Sequence, residues 1–202
     1  MATPTFFVTM KRSFADVPVD AGKVSTTEFL EAAESLVSLF GYAVDLLGSA
    51  AFTVVQKDMN GNIKKIRERQ LANAAISSTL QDIVLSEKVE KNRTATQGLL
   101  WLTRGLQFTA VALRKNVEST EELNESFTKA YGETLIKYHS MVIRPVFKLA
   151  MKACPYRKDF YAKLGDNQEA VKQELTTWVA ALEEIVKVIQ DFYECGNYGK
   201  GL

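Results

Sequence analysis

The chain has 202 residues, 47% of them hydrophobic and 24% charged, with 25 basic side chains against 24 acidic. This length favours a single domain that buries roughly 70% of its unfolded surface, enough for a core and a lined cavity. A net charge of +1 lacks the basic excess of a dedicated nucleic-acid binder, and the longest uncharged run, eleven residues from Leu46 to Gln56, falls short of the roughly 18 to 20 that cross a membrane.

At the N-terminus, Met1 to Met10 is apolar, but Lys11 and Arg12 follow it rather than lead it, unlike a secretory signal. The expected location is therefore cytoplasmic. Apolar residues then recur at helical spacing and β-alternation is hard to find, which predicts an all-α protein. A first helix spans Glu28 to Leu47, opened by a capping box of Ser25 and Glu28 and stopped at Gly48. In the next segment, Phe52 to Gln70, the poor helix formers Asn60, Gly61 and Asn62 interrupt the pattern. If it is helical, Asp58, Asn62 and Lys65 fall at i, i+4 and i+7 on one face. A carboxylate, an amide and an ammonium suit a polyhydroxylated or amide-bearing ligand; an exposed polar stripe is the commoner meaning of such a face.

A further helix is predicted from about Ile76 to Val89, capped by Asn73. From Thr96 to Val117 apolar residues cover nearly every face, so this helix belongs at the centre with neighbours on both sides. It carries Trp101, whose ring either stacks on a sugar or fills the core, with Gly105 leaving space beside it. Arg104 is a charge on a buried helix and needs partners. Ser119 and Glu122 suggest another capping box, opening a helix through Tyr138 toward Lys152 with a kink at Pro145. His139 is the only histidine, which excludes histidine clusters and leaves it as a hydrogen-bond donor, a general base or a satisfied core residue. The last helix follows Asp166 and ends in a glycine-containing tail. Charge is uneven here, net +5 over Ser140 to Lys163 and net −5 over Asp166 to Glu194. Cys154 and Cys195 lack the number and spacing of a disulfide framework or zinc site and read as reduced thiols. No nucleophile elbow, P-loop or dinucleotide turn occurs, so no catalytic residue, cofactor or metal is assigned.

Taken together, Asp58-Met-Asn-Gly-Asn62-Ile-Lys-Lys65, Leu100-Trp101-Leu-Thr-Arg104-Gly-Leu-Gln-Phe108, Lys137-Tyr138-His139 and Pro155-Tyr156-Arg-Lys-Asp159-Phe160 closely resemble the glycolipid transfer protein family. The likeness runs from about residue 28 to Asn197-Tyr198. It implies a two-layer all-α sandwich with an apolar pocket for lipid chains and a headgroup site at its mouth, and a carrier that performs no chemical step. In the family, the residue matching Trp101 stacks on the first sugar, and those matching Asp58, Asn62 and Lys65 bind its hydroxyls. The aspartate and the residue matching His139 clamp the ceramide amide. Tyr198 matches a tyrosine near the headgroup, and Arg104 a supporting residue. Leu47, Phe52, Val54, Val55, Phe108, Leu135 and Phe147 are implied around the chains.

Asn62 and Trp101 point to the glycosphingolipid branch rather than the ceramide-1-phosphate branch, which carries basic residues there. The resemblance thus implies a cytoplasmic, monomeric carrier of glycosphingolipids, peripheral to membranes, visiting their surface transiently, with no obligate protein partner. A ceramide-1-phosphate carrier and a glycolipid sensor or interaction module are the alternatives. Many animal members have a surface tryptophan two residues beyond the histidine, where this chain has Met141. One domain is expected over 1–202, residues 1–23 being an extension of unassigned role.

Overall fold

The computed structural model describes residues 4–47 and 50–202, and over residues 42–52 only the course of the backbone. After a single turn of helix, α1 (Phe6–Thr9), and a hairpin of β1 (Val19–Asp20) with β2 (Lys23–Val24), the chain is helical: α2 (Thr26–Leu47), α3 (Ala50–Ala72), α4 (Leu80–Glu87), α5 (Thr94–Val117), α6 (Leu123–Glu133), α7 (Ile143–Lys152), α8 (Arg157–Leu164) and α9 (Gln168–Gly196). The all-α expectation holds. None of these helices is long and apolar enough, among the described residues, to cross a membrane.

Helix α5 is the hub. Fourteen of its 24 residues are buried, which follows from its apolar side chains pointing all round and requires neighbours on several sides. It packs against α3, α6 and α9, while α2 lies on α3. One continuous core results, from Phe29 and Leu36 of α2 through Leu102 and Leu106 of α5 to Leu175, Leu182 and Ile189 of α9.

Phe6, Phe14, Val17 and Val24 of the N-terminal segment belong to this core. Phe14 is 1% exposed, its ring 5.5 Å from that of Trp178 and 6.4 Å from that of Phe29. Burying such a ring contributes roughly 1.5 to 3 kcal/mol. The hairpin turns on Ala21 and Gly22, both at positive φ, the combination a two-residue turn needs to match strand twist. Buried Gln81 of α4 then ties it down, accepting from Val24 N–H at 2.9 Å and donating to the Gly22 carbonyl at 3.1 Å.

Several boundaries differ from the sequence reading. Ser25 donates its hydroxyl to Glu28 rather than capping a backbone N–H. The stop expected at Gly48 lies outside the described residues. Asn73 makes no side-chain cap; Thr79 does, accepting from Asp82 N–H at 3.2 Å, so α4 starts later and Ile76 is left 53% exposed in a 3₁₀ turn. Ser119 accepts from Glu121 N–H and shapes a turn instead of capping α6, whose N-cap is Glu122. The predicted long helix breaks between Glu133 and Ile143, and Pro145 sits in the first turn of α7, where a missing N–H costs nothing. Helix α8 was not foreseen.

Candidate functional site

Helix α3 runs unbroken through Asn60, Gly61 and Asn62. The cost of these poor helix formers is explained at Asn62, which is 4% exposed and fully engaged. Its amide donates to Asp58 Oδ2 at 3.3 Å and its carbonyl accepts from Lys65 Nζ at 3.2 Å. The three residues form a relay in which the amide fixes both charged neighbours. Protein massed around Asp58 raises its pKa above the ordinary aspartate value, desolvation outweighing the attraction of Lys65, although the residue as a whole is exposed at its rim. A carboxylate so placed is short of hydrogen-bond donors and gains strongly from a ligand that brings them.

Gly98 of α5 sets the spacing below this relay. A Cβ on Gly98 would lie 3.1 Å from Lys65 Cβ and 3.2 Å from the Asn62 carbonyl oxygen, so any larger residue would push α3 from α5 by a few tenths of an ångström. Trp101 follows one helical turn further along α5, about 4.5 Å in rise. Its ring is half-buried and nearly parallel to that of His139, with centroids 6.1 Å apart and planes at 15°. Open space remains at Gly105, whose Cβ would meet nothing within 4 Å.

His139 lies in the loop between α6 and α7, not within a helix. Its ring is 4.4 Å from Phe147 and its Nδ1 is 3.1 Å from the Tyr131 hydroxyl. Arg144 donates to the His139 carbonyl at 3.0 Å. Burial, aided by Arg144, lowers the histidine pKa, so the imidazole is neutral at pH 7. Sequence reasoning missed Tyr131 and Arg144; a tyrosine eight residues before the histidine carries no recognisable spacing signal.

Arg104 finds aromatic partners rather than a carboxylate. Its guanidinium carbon is 3.8 Å from the Tyr138 ring centroid and 4.7 Å from that of Trp101, a double cation–π contact that buttresses the tryptophan. Tyr198 stands apart from this cluster: its ring stacks on Phe192 at 4.6 Å, with Lys88 Nζ 5.6 Å from its centre. The tail reaches the cluster through Gly199, where a Cβ would be 3.5 Å from Leu100.

Of the residues expected around lipid chains, Val55, Phe108 and Phe147 line one small apolar cavity of about 10 Å³ together with Phe127 and Cys154. A second, of about 20 Å³, continues past Cys154 to Pro155 and Phe160. Leu135 is buried but borders neither, and Val54 is 44% exposed, pointing away from the interior that Val55 faces. The side chains of Leu47 and Phe52 lie outside the described residues. Among the described residues these two cavities leave little open volume beside Cys154. Burial there pushes the Cys154 thiol up to about 12. Among the described residues, no group of three or more histidine, cysteine, aspartate or glutamate side chains is placed to hold a metal.

A polar relay and an aromatic cluster thus lie together on an all-α helical body that has two small apolar cavities in its interior. The family model for glycolipid transfer proteins matches residues 24–166, and the chain belongs to the glycolipid transfer protein family. It is 59% identical over 189 residues to a glycolipid transfer protein of Aureobasidium melanogenum, covering 93% of this chain and 92% of that one. It is 34% identical to human pleckstrin homology domain-containing family A member 8 over 95% of its own length, spanning 39% of that longer protein. Among solved structures, HET-C2, a fungal glycolipid transfer protein, superposes with a TM-score of 0.88 at 53% identity, covering 94% of this chain and 97% of that chain. The glycosphingolipid-selecting domain of FAPP2 gives 0.86 at 32% identity, covering 97% of each. Mouse ceramide-1-phosphate transfer protein, at 21% identity and a TM-score of 0.84, shares the fold.

Proposed function

We propose that this chain is a non-enzymatic carrier that takes a glycosphingolipid from one membrane and delivers it to another. The observation that carries this reading is the Asp58–Asn62–Lys65 relay on α3, against which α5 packs at Gly98, about one turn before Trp101, whose ring stacks on that of His139. A sugar stacks on the Trp101 face while its hydroxyls donate to Asp58 and accept from Lys65. In the tautomer that serves this reading, Nδ1 of His139 accepts from the Tyr131 hydroxyl 3.1 Å away, and the proton on Nε2 donates to the amide carbonyl of the lipid. Asp58 accepts from the amide N–H, Arg104 holds the platform, and Tyr198 closes the headgroup side from the tail.

The chains enter among Val55, Phe108 and Phe147, with Leu47, Phe52, Val54 and Leu135 joining as the interior opens. Exposing a lipid chain to water costs about 0.8 kcal/mol per CH₂, so shelter accelerates exchange between membranes, and the headgroup supplies the selectivity. Charge-assisted hydrogen bonds contribute roughly 1.5 to 3 kcal/mol each, and a lipid that leaves Asp58 unpaired is penalised. Asn62 and Trp101 stand where a phosphate headgroup requires cations, which favours the neutral sugar over ceramide-1-phosphate. Docking uses the loop and helix beside His139, where Met141 and Val142 are each 79% exposed and Leu149 is 62% exposed, flanked by Lys148 and Lys152. Methionine replaces the interfacial tryptophan of animal members, so basic side chains share the attraction to the surface. The protein works as a cytoplasmic monomer over its single domain.

The test is transfer of fluorescent galactosylceramide between vesicles, with ceramide-1-phosphate and phosphatidylcholine alongside, for the native chain and Asp58→Val. Galactosylceramide moves fast, the other lipids stay, and the substitution stops transfer. Preferential movement of ceramide-1-phosphate overturns the choice of headgroup; binding of galactosylceramide without transfer makes the protein a sensor instead of a carrier.

A further inference from the structure

The described methionines differ sharply in their access to water. Met59 and Met151 are each 3% exposed and belong to the core, and Met10 is half-buried against it. Met141, in the loop before α7, is 79% exposed. A thioether is apolar and adaptable, but its sulfur is open to mild oxidants, which act first where they have access. An oxidant in solution therefore reaches Met141 while the core methionines stay shielded by the fold.

Two features of its surroundings give that chemistry a consequence. The first is the surface it belongs to. Phe147, Ala150 and Met151 of α7 are buried, which leaves Pro145, Lys148, Leu149 and Lys152 exposed on the other side of the helix, and Met141 and Val142 continue that exposed surface into the loop. An oxygen on sulfur turns one of its most exposed apolar side chains into a strong dipole, whose oxygen hydrocarbon cannot satisfy. The second is Arg144. Its Nε donates to the His139 carbonyl at 3.0 Å, and its Nη1 lies 3.8 Å from Met141 Sδ. No carboxylate is within ion-pair distance of Arg144 among the described residues. A thioether is a weak acceptor, so Nη1 is poorly served by sulfur. With an oxygen bonded to sulfur, the 3.8 Å separation accommodates an N–H···O bond of about 2.9 Å without movement of either side chain. The oxidised side chain is then tied to Arg144 instead of free to enter a bilayer.

We propose that Met141 is a site of reversible oxidation, through which hydrogen peroxide loosens the hold of the protein on membranes. The sulfur gives an electron pair to one peroxide oxygen, the O–O bond breaks as the S–O bond forms, and the other oxygen leaves as water; sulfur is oxidised by two electrons and the peroxide reduced by two. Methionine sulfoxide reductases, one for each epimer at sulfur, reverse the change, removing the oxygen as water while two thiols become a disulfide. The proposal rests on the carrier reading in one respect, the use of the loop beside His139 for docking. Headgroup binding is left as it was, because the sulfoxide engages Nη1 of Arg144 while Nε stays on the His139 carbonyl, and the relay on α3 is built without either residue.

The native chain, Met141→Leu and Cys195→Ser, which removes the exposed thiol, are each treated with hydrogen peroxide and compared with their own untreated samples, so every reading is a ratio within one variant. Peptide mass spectrometry locates the added oxygen. Sedimentation with vesicles of phosphatidylcholine, phosphatidylserine and galactosylceramide measures docking, and calorimetry with a dispersed short-chain galactosylceramide measures headgroup binding without a membrane. In the native chain Met141 gains oxygen before Met59 and Met151, vesicle binding weakens about tenfold, short-chain binding is unchanged, and the two reductases together restore docking. Peroxide leaves the vesicle binding of Met141→Leu where it was, and Cys195→Ser responds as the native chain does. Oxidation of Met141 with vesicle binding intact overturns the proposal. So does a loss that persists in Met141→Leu, or a parallel loss of short-chain binding. Failure of the untreated native chain to transfer galactosylceramide overturns the carrier reading separately, and the vesicle-binding ratio still decides the role of Met141.

Discussion

Replacing Gly98 with alanine tests whether the spacing between α3 and α5 governs the headgroup site. The new Cβ would stand 3.1 Å from Lys65 Cβ and 3.2 Å from the Asn62 carbonyl oxygen, whereas carbon atoms pack best at about 3.5 to 4.0 Å. Both obstacles belong to the α3 scaffold, so α3 must withdraw by roughly 0.4 Å or more. Overpacking of this kind costs about 1 to 3 kcal/mol, while alanine in place of glycine within a helix returns about 1 kcal/mol. The net loss of stability is therefore about 0 to 2 kcal/mol, within what a domain tolerates. Binding suffers more, because the shift carries Asn62 and Lys65 away from the sugar proposed to rest on Trp101. Losing one charge-assisted hydrogen bond, roughly 1.5 to 3 kcal/mol, slows transfer by about 10- to 100-fold. Urea unfolding and vesicle transfer of galactosylceramide are measured together, with Gly61→Ala as a control whose Cβ meets nothing within 4 Å. The control gains about 1 kcal/mol and transfers normally. Native transfer by Gly98→Ala refutes the reasoning.

Because the folded-state pKa of Asp58 is raised by desolvation, the folded protein binds more protons there than the unfolded chain, and stability falls as pH rises through the ordinary aspartate value toward the folded one. Asp58→Asn should therefore make the ligand-free protein more stable at pH 7 than the native chain, with the gap closing near pH 3, while abolishing glycolipid transfer; urea titrations at a series of pH values that show no gap at pH 7 count against the desolvated carboxylate. Phe14→Ala removes a ring 1% exposed from between Phe29 and Trp178 and should cost about 3 to 5 kcal/mol; a urea midpoint within error of the native one would mean that the N-terminal segment is an appendage.

The helical class and the central place of α5 were legible because an all-round apolar pattern admits one solution, a helix with neighbours on every side. The relay was legible as a spacing, and the structure adds why it is costly and kept: Asn62 is buried and its amide is spent on two charged neighbours. Arg104 was legible as a charge that needs partners but not which ones, since the two rings that serve it come from its own helix and a distant loop. Pro145 was read as a kink because proline disrupts a helix interior and is harmless in a first turn, and sequence alone does not say which turn it occupies. Thr79 prevailed over Asn73 as a cap through contacts with the hairpin, including the pairing of Ser25 with Thr79. The N-terminal segment escaped because its aromatic side chains find their partners on α2 and α9, far along the chain.

The two apolar cavities, about 10 and 20 Å³, bear on turnover as well as on binding. A permanently open tunnel of several hundred Å³ would cost on the order of 10 kcal/mol at about 24 cal/mol per Å³, comparable with the whole stability of a domain. A shuttle built that way would cling to its cargo, since unloading would recreate the void. Here Phe108, Phe127 and Phe147 line a cavity of only about 10 Å³, so among the described residues release into this arrangement leaves no large void behind. Such a carrier supplies no energy of its own, and net flow follows the concentration of the lipid in the two membranes.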